Sequence, residues 1–490
     1  MLFEFKDLSM HVIQSTNLKG EQDMKSKSLV LSLVFFIIQI NVVSAGDLSN
    51  IRGIGMAGTM NAASTETDAI GINPANTAIP DIGNFTLSLA PTGVMVHTEL
   101  FSYNIYTDYF TGVPGPDGKR IARNLTEEDK NTILSQMPDL PRTNTRLEIM
   151  WFGLTFQYPN IGGIGFAVIE RVGASIALSK DFFRMAAFGL DSMGSQYKFD
   201  GTDLSAWWYR EYALSYGRKL PFKPRFVKDL YAGISIKFVR GYGVFQTDKQ
   251  NSNFGNIPVG ADQYVLRGNF DFLTRRSGVD LFNDSSHAPF SLFPDPAGKG
   301  IGLDIGLSSE IRDGLRIALS MTDIGSITWD KNVFESAGGG HVDVSGISGA
   351  MGDTLKNAVK GSTLAGTSFK TNLPTTLRLG AVMDTKQFPF FKFIPGKLLL
   401  AFDYTQGLNN SLGNTTIPRF SLGVEYRLIR FIPIRTGLAV GGGEGTHWAL
   451  GTGFNSHYFS LDIATENFGM FLIPKSFQMV SFSFGMKIRV

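Results

Sequence analysis

The chain contains no cysteine. Disulfides, iron–sulfur clusters, thiolate zinc sites and a lipid-modified N-terminal cysteine are therefore excluded. Charge is scarce as well. Asp, Glu, Lys and Arg make up 18% of 490 residues, low for a soluble protein of this length. The net charge of +2 exerts no long-range pull on nucleic acid. Long apolar runs are nearly missing: a bundle of membrane helices needs several stretches of about 20 residues, and Leu29–Ile40 is the single candidate, too short for a span. The histidines at 11, 97, 287, 341, 447 and 457 stand in no metal-ligand spacing, and HExxH, GxSxG and P-loop patterns are absent. Neither a metal site, a cofactor nor a catalytic residue is expected. The enzyme alternative is an outer-membrane hydrolase using a Ser, a His such as His447 and an acid at one rim; the reading adopted is that the chain is not an enzyme. Glu127-Glu128-Asp129 reads as a solvated charged loop.

What is present is aromatic and small: 12% aromatics, with 40 Phe and 55 Gly. From about residue 85 the apolar period is two, the period of a strand. In Arg419–Leu428, Phe420, Leu422, Val424, Tyr426 and Leu428 alternate with Arg419, Ser421, Gly423, Glu425 and Arg427. Segments 376–384, 397–404 and 480–490 repeat the pattern. A soluble sandwich would place Lys, Glu and Thr on its polar face. Here that face is Gly, Ser and Ala with isolated charges, which suits a lumen. The fold expected is all-β: a transmembrane antiparallel barrel of about fourteen strands over 85–490. Long outer loops are placed at 99–145, 179–206, 246–299 and 328–374, with short turns and both termini on the periplasmic side. Phe388–Lys397 (FPFFKFIPGK) falls on a periplasmic turn and reads as an aromatic interface anchor in preference to a partner-docking site. Residues 351–361 read as a short helix in an outer loop.

The N-terminal region is different. Lys25 and Lys27, the apolar run and Val43-Ser44-Ala45 have the order of a cleavable secretory signal. Residues 1–45 are therefore an over-long start plus signal peptide, with Met24 the natural start and Gly46 the mature N-terminus. Residues 46–84 are rich in Gly, Ala, Asn and Thr and lack alternation. Gly53–Gly58 matches GxGxxG, but neither the preceding strand nor the following helix of a dinucleotide site is present.

The order Gly53-x-Gly55-x-Ala57, Asp68-Ala69, Asn73-Pro74-Ala75 resembles the N-terminal hatch of the FadL-type long-chain fatty-acid transporters. It is similar also to the PorV-type outer-membrane proteins of type IX secretion. The resemblance continues in Gly300–Leu307, in Leu319–Trp329 and in Leu373-Pro374-x-x-Leu377-Arg378-Leu379-Gly380. The Asp-Ile-Gly-x-Ile-x-Trp segment is similar to a further branch of this superfamily, which argues against assuming fatty acids as cargo. The resemblance implies a lumenal hatch over 46–84, centred on Gly53, Gly55, Asn73, Pro74 and Ala75, with ligand leaving sideways through the wall. Pro74 fixes one backbone angle and biases Asn73 away from helix, while Asn73 can bond local backbone to make a stiff turn.

The function expected is an outer-membrane channel for hydrophobic small molecules in a Gram-negative-type bacterium, with loops 246–299 and 328–374 capturing ligand. Arg378, Asp403, Glu425, Arg427 and Arg435 are the expected lumenal charges, tethering the hatch or pairing across the lumen. Membrane lipid, a hydrophobic ligand and the barrel-assembly machinery are the expected partners. The alternative is a scaffold for an exported protein or secretion machinery.

Overall fold

A computed structural model describes residues 48–100, 102–189, 196–222, 224–258, 260, 264–278, 294–344, 361–472 and 478–490. The segment read as a signal peptide and nearly all of the helix expected at 351–361 lie outside them. Fourteen strands form the wall: β1 Phe85–Thr98, β2 Arg142–Tyr158, β3 Gly162–Ala177, β4 Asp203–Lys219, β5 Asp229–Gln250, β6 Gly298–Arg312 and β7 Leu315–Trp329. They continue as β8 Thr376–Asp384, β9 Lys397–Gly407, β10 Arg419–Ile429, β11 Ile432–Gly441, β12 His447–Asn455, β13 Phe459–Thr465 and β14 Met479–Arg489. Each pairs antiparallel with the next, and β14 returns to β1 with Thr86 opposite Arg489 and Val96 opposite Val480. The sheet has no edge left, so the wall's backbone groups can be paired within it, as lipid requires. This is the transmembrane antiparallel barrel expected from the alternation.

The alternation itself sets inside from outside. On β14, Val480, Phe482 and Phe484 are exposed outward while Ser481 and Ser483 are buried inward. On β10, Phe420 and Leu422 face out, whereas Ser421, Gly423 and Glu425 are buried. Charged residues are thereby confined to the lumen and the rims.

Connections alternate in length around the barrel. One rim carries the turns at 159–161, 220–228, 313–314, 385–396, 430–431 and 456–458, and the two ends of the barrel sequence, Phe85 and Val490, meet there. The other rim carries the long loops. There β5 runs on beyond the wall, and six further strands among the described residues, Gln196–Lys198, Asn253–Pro258, Tyr264–Gly278, Phe334–Val344, Ser362–Ala365 and Phe369–Asn372, extend the sheet externally. Residues 264–278, within the outer loop expected at 246–299, belong to this extension. Loop 99–145 contains the helix Glu127–Ser135, so the Glu127-Glu128-Asp129 run is a helix N-terminus and no longer plain loop. Thr126 and Asp129 cap it reciprocally: Asp129 N–H donates to Thr126 Oγ1 at 3.1 Å and Thr126 N–H to Asp129 Oδ2 at 3.0 Å. The Thr126 amide, its hydroxyl and Arg123 hold the Asp129 carboxyl below its ordinary value.

Candidate functional site in the barrel lumen

Residues 48–84 lie inside the barrel. They form one short helix, Ile51–Ile54, and two 3-10 turns, Glu66–Ala69 and Pro74–Ala78, and almost every residue from Leu48 to Thr77 is buried. The local reasons are in the sequence. Asn50 caps the first helix by accepting from Gly53 N–H at 2.8 Å. Asn73 is extended, with φ −150° and ψ 103°, and caps the third element by accepting from Ala75 N–H at 3.1 Å, with Pro74 at the first helical position. The Asn73 side-chain amide also donates to Asn61 Oδ1 and to Leu307 O, both at 3.2 Å, so the turn is fastened to β6 as well as to itself.

The small residues of the lumenal face accommodate this segment. Gly163 on β3, Gly217 on β4, Gly233 on β5 and Gly306 on β6 face the turn at 73–78, and a Cβ on any of them would run into its atoms. Gly55 sits equally close to Gly451 of β12, with an added Cβ 3.0 Å from the Gly451 Cα. Gly53 has no such contact with the wall; its own Cβ would meet Met60 at 2.8 Å.

Charges fasten the other end. Arg52 pairs with Glu425 at 2.9 Å, and Glu425 also meets Arg435 at 2.8 Å and Arg427 at 3.0 Å. Arg435 continues to Asp462 at 2.6 Å. Asp403 accepts from the backbone amides of Met60 at 2.8 Å and Asn61 at 2.7 Å. Arg378 offers its carbonyl to the Asn61 amide at 3.0 Å while its guanidinium donates to Thr322 at 2.7 Å. Of the five lumenal residues singled out from sequence, then, Arg378, Asp403 and Glu425 touch the segment directly. Arg427 and Arg435 act through Glu425, and Arg427 stays partly accessible. The alternation did not point to Arg52, Glu66 or Asp68, because residues 48–84 have no period. Glu66 pairs with Arg489 at 2.9 Å and Asp68 with Lys487 at 2.5 Å, two inward residues of β14.

A second cluster spans β2 to β7. Lys237 lies between Asp304 at 3.0 Å, Asp323 at 2.5 Å and Glu211 at 3.8 Å, and Arg171 between Glu148 at 3.4 Å, Glu211 at 3.7 Å and Asp323 at 3.9 Å. Ser49 joins it through a 3.0 Å bond from its amide to Glu148.

Two openings border the segment. Towards the long-loop rim there is a cleft of about 90 Å³ lined by Arg146, Arg378, Arg419, Glu444 and Glu466 above Gly58 and Met60. Its lining is mixed, those charges standing beside Leu48, Ile54, Ile72 and Ile417. The apolar loop cluster lies elsewhere, in 99–145 and 179–206: Ile105, Ile133, Leu134 and Met137 with Phe183 and Phe188. The described residues of loops 246–299 and 328–374 supply external strands. The other opening, about 20 Å³, lies between Ile51, Thr67 and Asp68 and the wall residues Pro91 and Met150. At that point the wall is interrupted. Leu89 and Thr92 pair with β2 and with β14, but Ala90 and Pro91 pair with neither, and Ala90 has φ 44°. Proline has no N–H for a ladder, which confines it to such bulges. His447 is buried, and its ring lies 3.2 Å from the Arg419 guanidinium.

A family model described as a family of unknown function, DUF5723, matches residues 74–466. No curated protein matches the chain. Solved structures similar to it include the toluene transporter TodX of P. putida, 12% identical, covering 90% of this chain and 97% of that one with a TM-score of 0.41. A FadL homologue of Pseudomonas aeruginosa and the CymD monoaromatic hydrocarbon channel are each 13% identical, covering 91% of this chain and 99% of theirs, with a TM-score of 0.43. The chain is thus similar to FadL-type structures.

Proposed function

We propose that this chain, which belongs to the DUF5723 family, is an outer-membrane transporter for hydrophobic small molecules, gated by residues 48–84. In this reading it performs no catalysis. The observation that carries the proposal is the position of the lumenal segment. It fills the bore, is held at one end by a handful of ion pairs, and abuts the place where β1 loses both neighbours. A charged solute crossing a membrane needs a wet path. An apolar one needs only to pass the rim and reach lipid. The apolar cluster of loops 99–145 and 179–206 supports a first contact on the outside, and the Ala90–Pro91 bulge supports a sideways exit once Ile51–Asp68 moves. Export through a signal ending at Ala45 and insertion by barrel-assembly machinery complete the reading.

The absence of cysteine makes a direct test clean. Thr67 Oγ1 and Ser88 Oγ are 2.6 Å apart, one on the segment and one on β1. A T67C/S88C variant should oxidise to a disulfide that locks the segment. Uptake of a hydrophobic dye into vesicles carrying the barrel is expected to stop when oxidised and return on reduction. Uptake indifferent to the lock would overturn gating by this segment.

One observation favours the second reading, a scaffold for an exported protein: the sheet closes on itself apart from the two-residue bulge at Ala90–Pro91, and the lumen is filled. Native mass spectrometry of the barrel extracted from its own membrane separates the two. A bound hydrophobic molecule supports the transporter; a stoichiometric protein partner on an empty barrel supports the scaffold.

A further inference from the structure

Three neighbouring turns of the short-turn rim, 220–228, 313–314 and 385–396, form one surface. Lys228 N–H donates to Glu310 O at 2.8 Å and its ammonium pairs with Asp313, while Asp384 N–H donates to Gly314 O at 2.7 Å. The Arg312 guanidinium lies 4.1 Å over the Phe388 ring, joining the second turn to the third. Two of these turns are much longer than the tight connections at 159–161, 430–431 and 456–458. Their aromatic residues are turned out: Phe222 is 64% exposed, Phe226 79%, Phe390 78% and Phe393 76%, more than almost any large apolar residue of the lipid-facing wall. Phe390 stacks edge-on against Phe391 at 5.1 Å and Phe393 at 6.5 Å, so the third turn holds its rings in a preset group.

Charge accompanies the aromatics. Lys219, Lys228 and Lys397 are paired with Asp229, Asp313 and Asp384. Arg225, Lys386 and Lys392 are exposed and have no carboxylate partner among the described residues. The surface is therefore aromatic with unbalanced positive charge. It also continues the apolar exterior of the strands it joins, where Leu214, Ile234, Leu379 and Phe402 face lipid. Aromatic rings settle at the headgroup level of a bilayer, and basic residues there attract anionic lipid. A water-soluble partner would account for the rings but not for their continuity with the lipid-facing wall.

We propose that these turns form a binding surface for anionic phospholipid headgroups of the periplasmic leaflet, with Arg225, Lys386 and Lys392 holding the phosphates and Phe226, Phe390 and Phe393 inserted beside the acyl chains. The surface lies on one side of the barrel, so it would gather anionic lipid next to β4–β9 only.

The test is native mass spectrometry of the full chain reconstituted in vesicles of equal palmitoyl-oleoyl phosphatidylglycerol and phosphatidylethanolamine. The unaltered barrel should retain phosphatidylglycerol in clear excess. In R225Q/K386Q/K392Q that excess should fall, by about fivefold for each charge removed. In F226S/F390S/F393S retention of both lipids should drop. Equal retention of the two lipids by the unaltered chain overturns the proposal, as does an excess that the charge variant leaves unchanged. A soluble protein captured in place of lipid would overturn it too.

Discussion

Replacing Glu425 by Gln tests the tether most sharply, because one carboxylate serves three arginines. In the substituted barrel Arg435 keeps Asp462 at 2.6 Å, but Arg52 is left with neutral acceptors alone, Ala63 O at 3.1 Å and the amide oxygen of the new glutamine. Removing one member of a buried ion pair costs about 3–5 kcal/mol. Arg52 retains 16% of its side chain in contact with solvent, which puts the expected loss near the bottom of that range, about 3 kcal/mol. At 1.4 kcal/mol per factor of ten, release of residues 51–63 should become roughly a hundredfold more frequent. Hydrogen exchange followed by mass spectrometry reads this directly: amides of 51–63 should exchange about a hundredfold faster in E425Q, with the strands of the wall as internal reference. A change below tenfold would refute the tether. Equal acceleration in β10 and β11 would show that Glu425 serves the wall alone. The double variant R52Q/E425Q should recover part of the loss, since coupled groups in one network are not additive.

Other outcomes follow from the same contacts. Asn73→Ala removes the cap on Ala75 and the bonds to Asn61 and Leu307, about 2–3 kcal/mol in all. Leakage of small solutes from vesicles carrying the variant should rise, and unchanged permeability would leave Asn73 a structural role only. The depressed Asp129 carboxyl stabilises the helix Glu127–Ser135 above its unfolded pKa of about 3.9, and that contribution is lost as pH falls through the lower folded value. Hydrogen-exchange protection factors of amides 130–135 should therefore be lower at about pH 2 than at about pH 5, whereas in D129N they should be alike at both.

The barrel was legible because a wall of alternating residues writes its own boundaries. The four segments in which the period of two was followed are wall strands, the count is the fourteen expected, and the long and short connections fall on opposite rims. What remained hidden has a physical cause. Residues 48–79 are irregular and almost wholly buried, so no period marks their inward contacts. Arg52, Glu66 and Asp68 look like ordinary polar residues until the wall surrounds them. The glycines of the lumenal face were read as a small-residue lining; their purpose, close approach of a second backbone, depends on register between strands far apart in sequence. The loops carry no period either: the external strands within 246–299 and 328–374, and the apolar cluster where the helices of 99–145 and 179–206 meet, depend on contacts between loops far apart in sequence.

The sequence pieces that carried the family resemblance converge on one place, and that place constrains how the lumen can open. Asp304 from Gly300–Leu307 accepts from the amide of Asp323, which sits in Leu319–Trp329 with a φ of 58°; Leu373 N–H donates to Gly325 O at 2.9 Å and Thr375 Oγ1 to Asp323 O at 2.8 Å. The three motifs thus build one bulge in β7, locked by Lys237, halfway round the barrel from the interruption at Ala90–Pro91. The lumenal segment divides along the same line. Residues 73–78 seat their backbone in the glycines of β3–β6, where release means breaking close packing. Residues 51–68 also seat Gly55, Met56 and Thr59 against Gly451, Gly437 and Gly423, but they are held in addition by ion pairs to β10 and β14 beside water-sized openings, where solvent can replace each partner in turn. Opening should therefore start at 51–68 and leave 73–78 in place. Exchange in the unaltered protein should be graded, with amides of 51–68 going before those of 73–78; uniform exchange across both would mean that the segment leaves the lumen as one body.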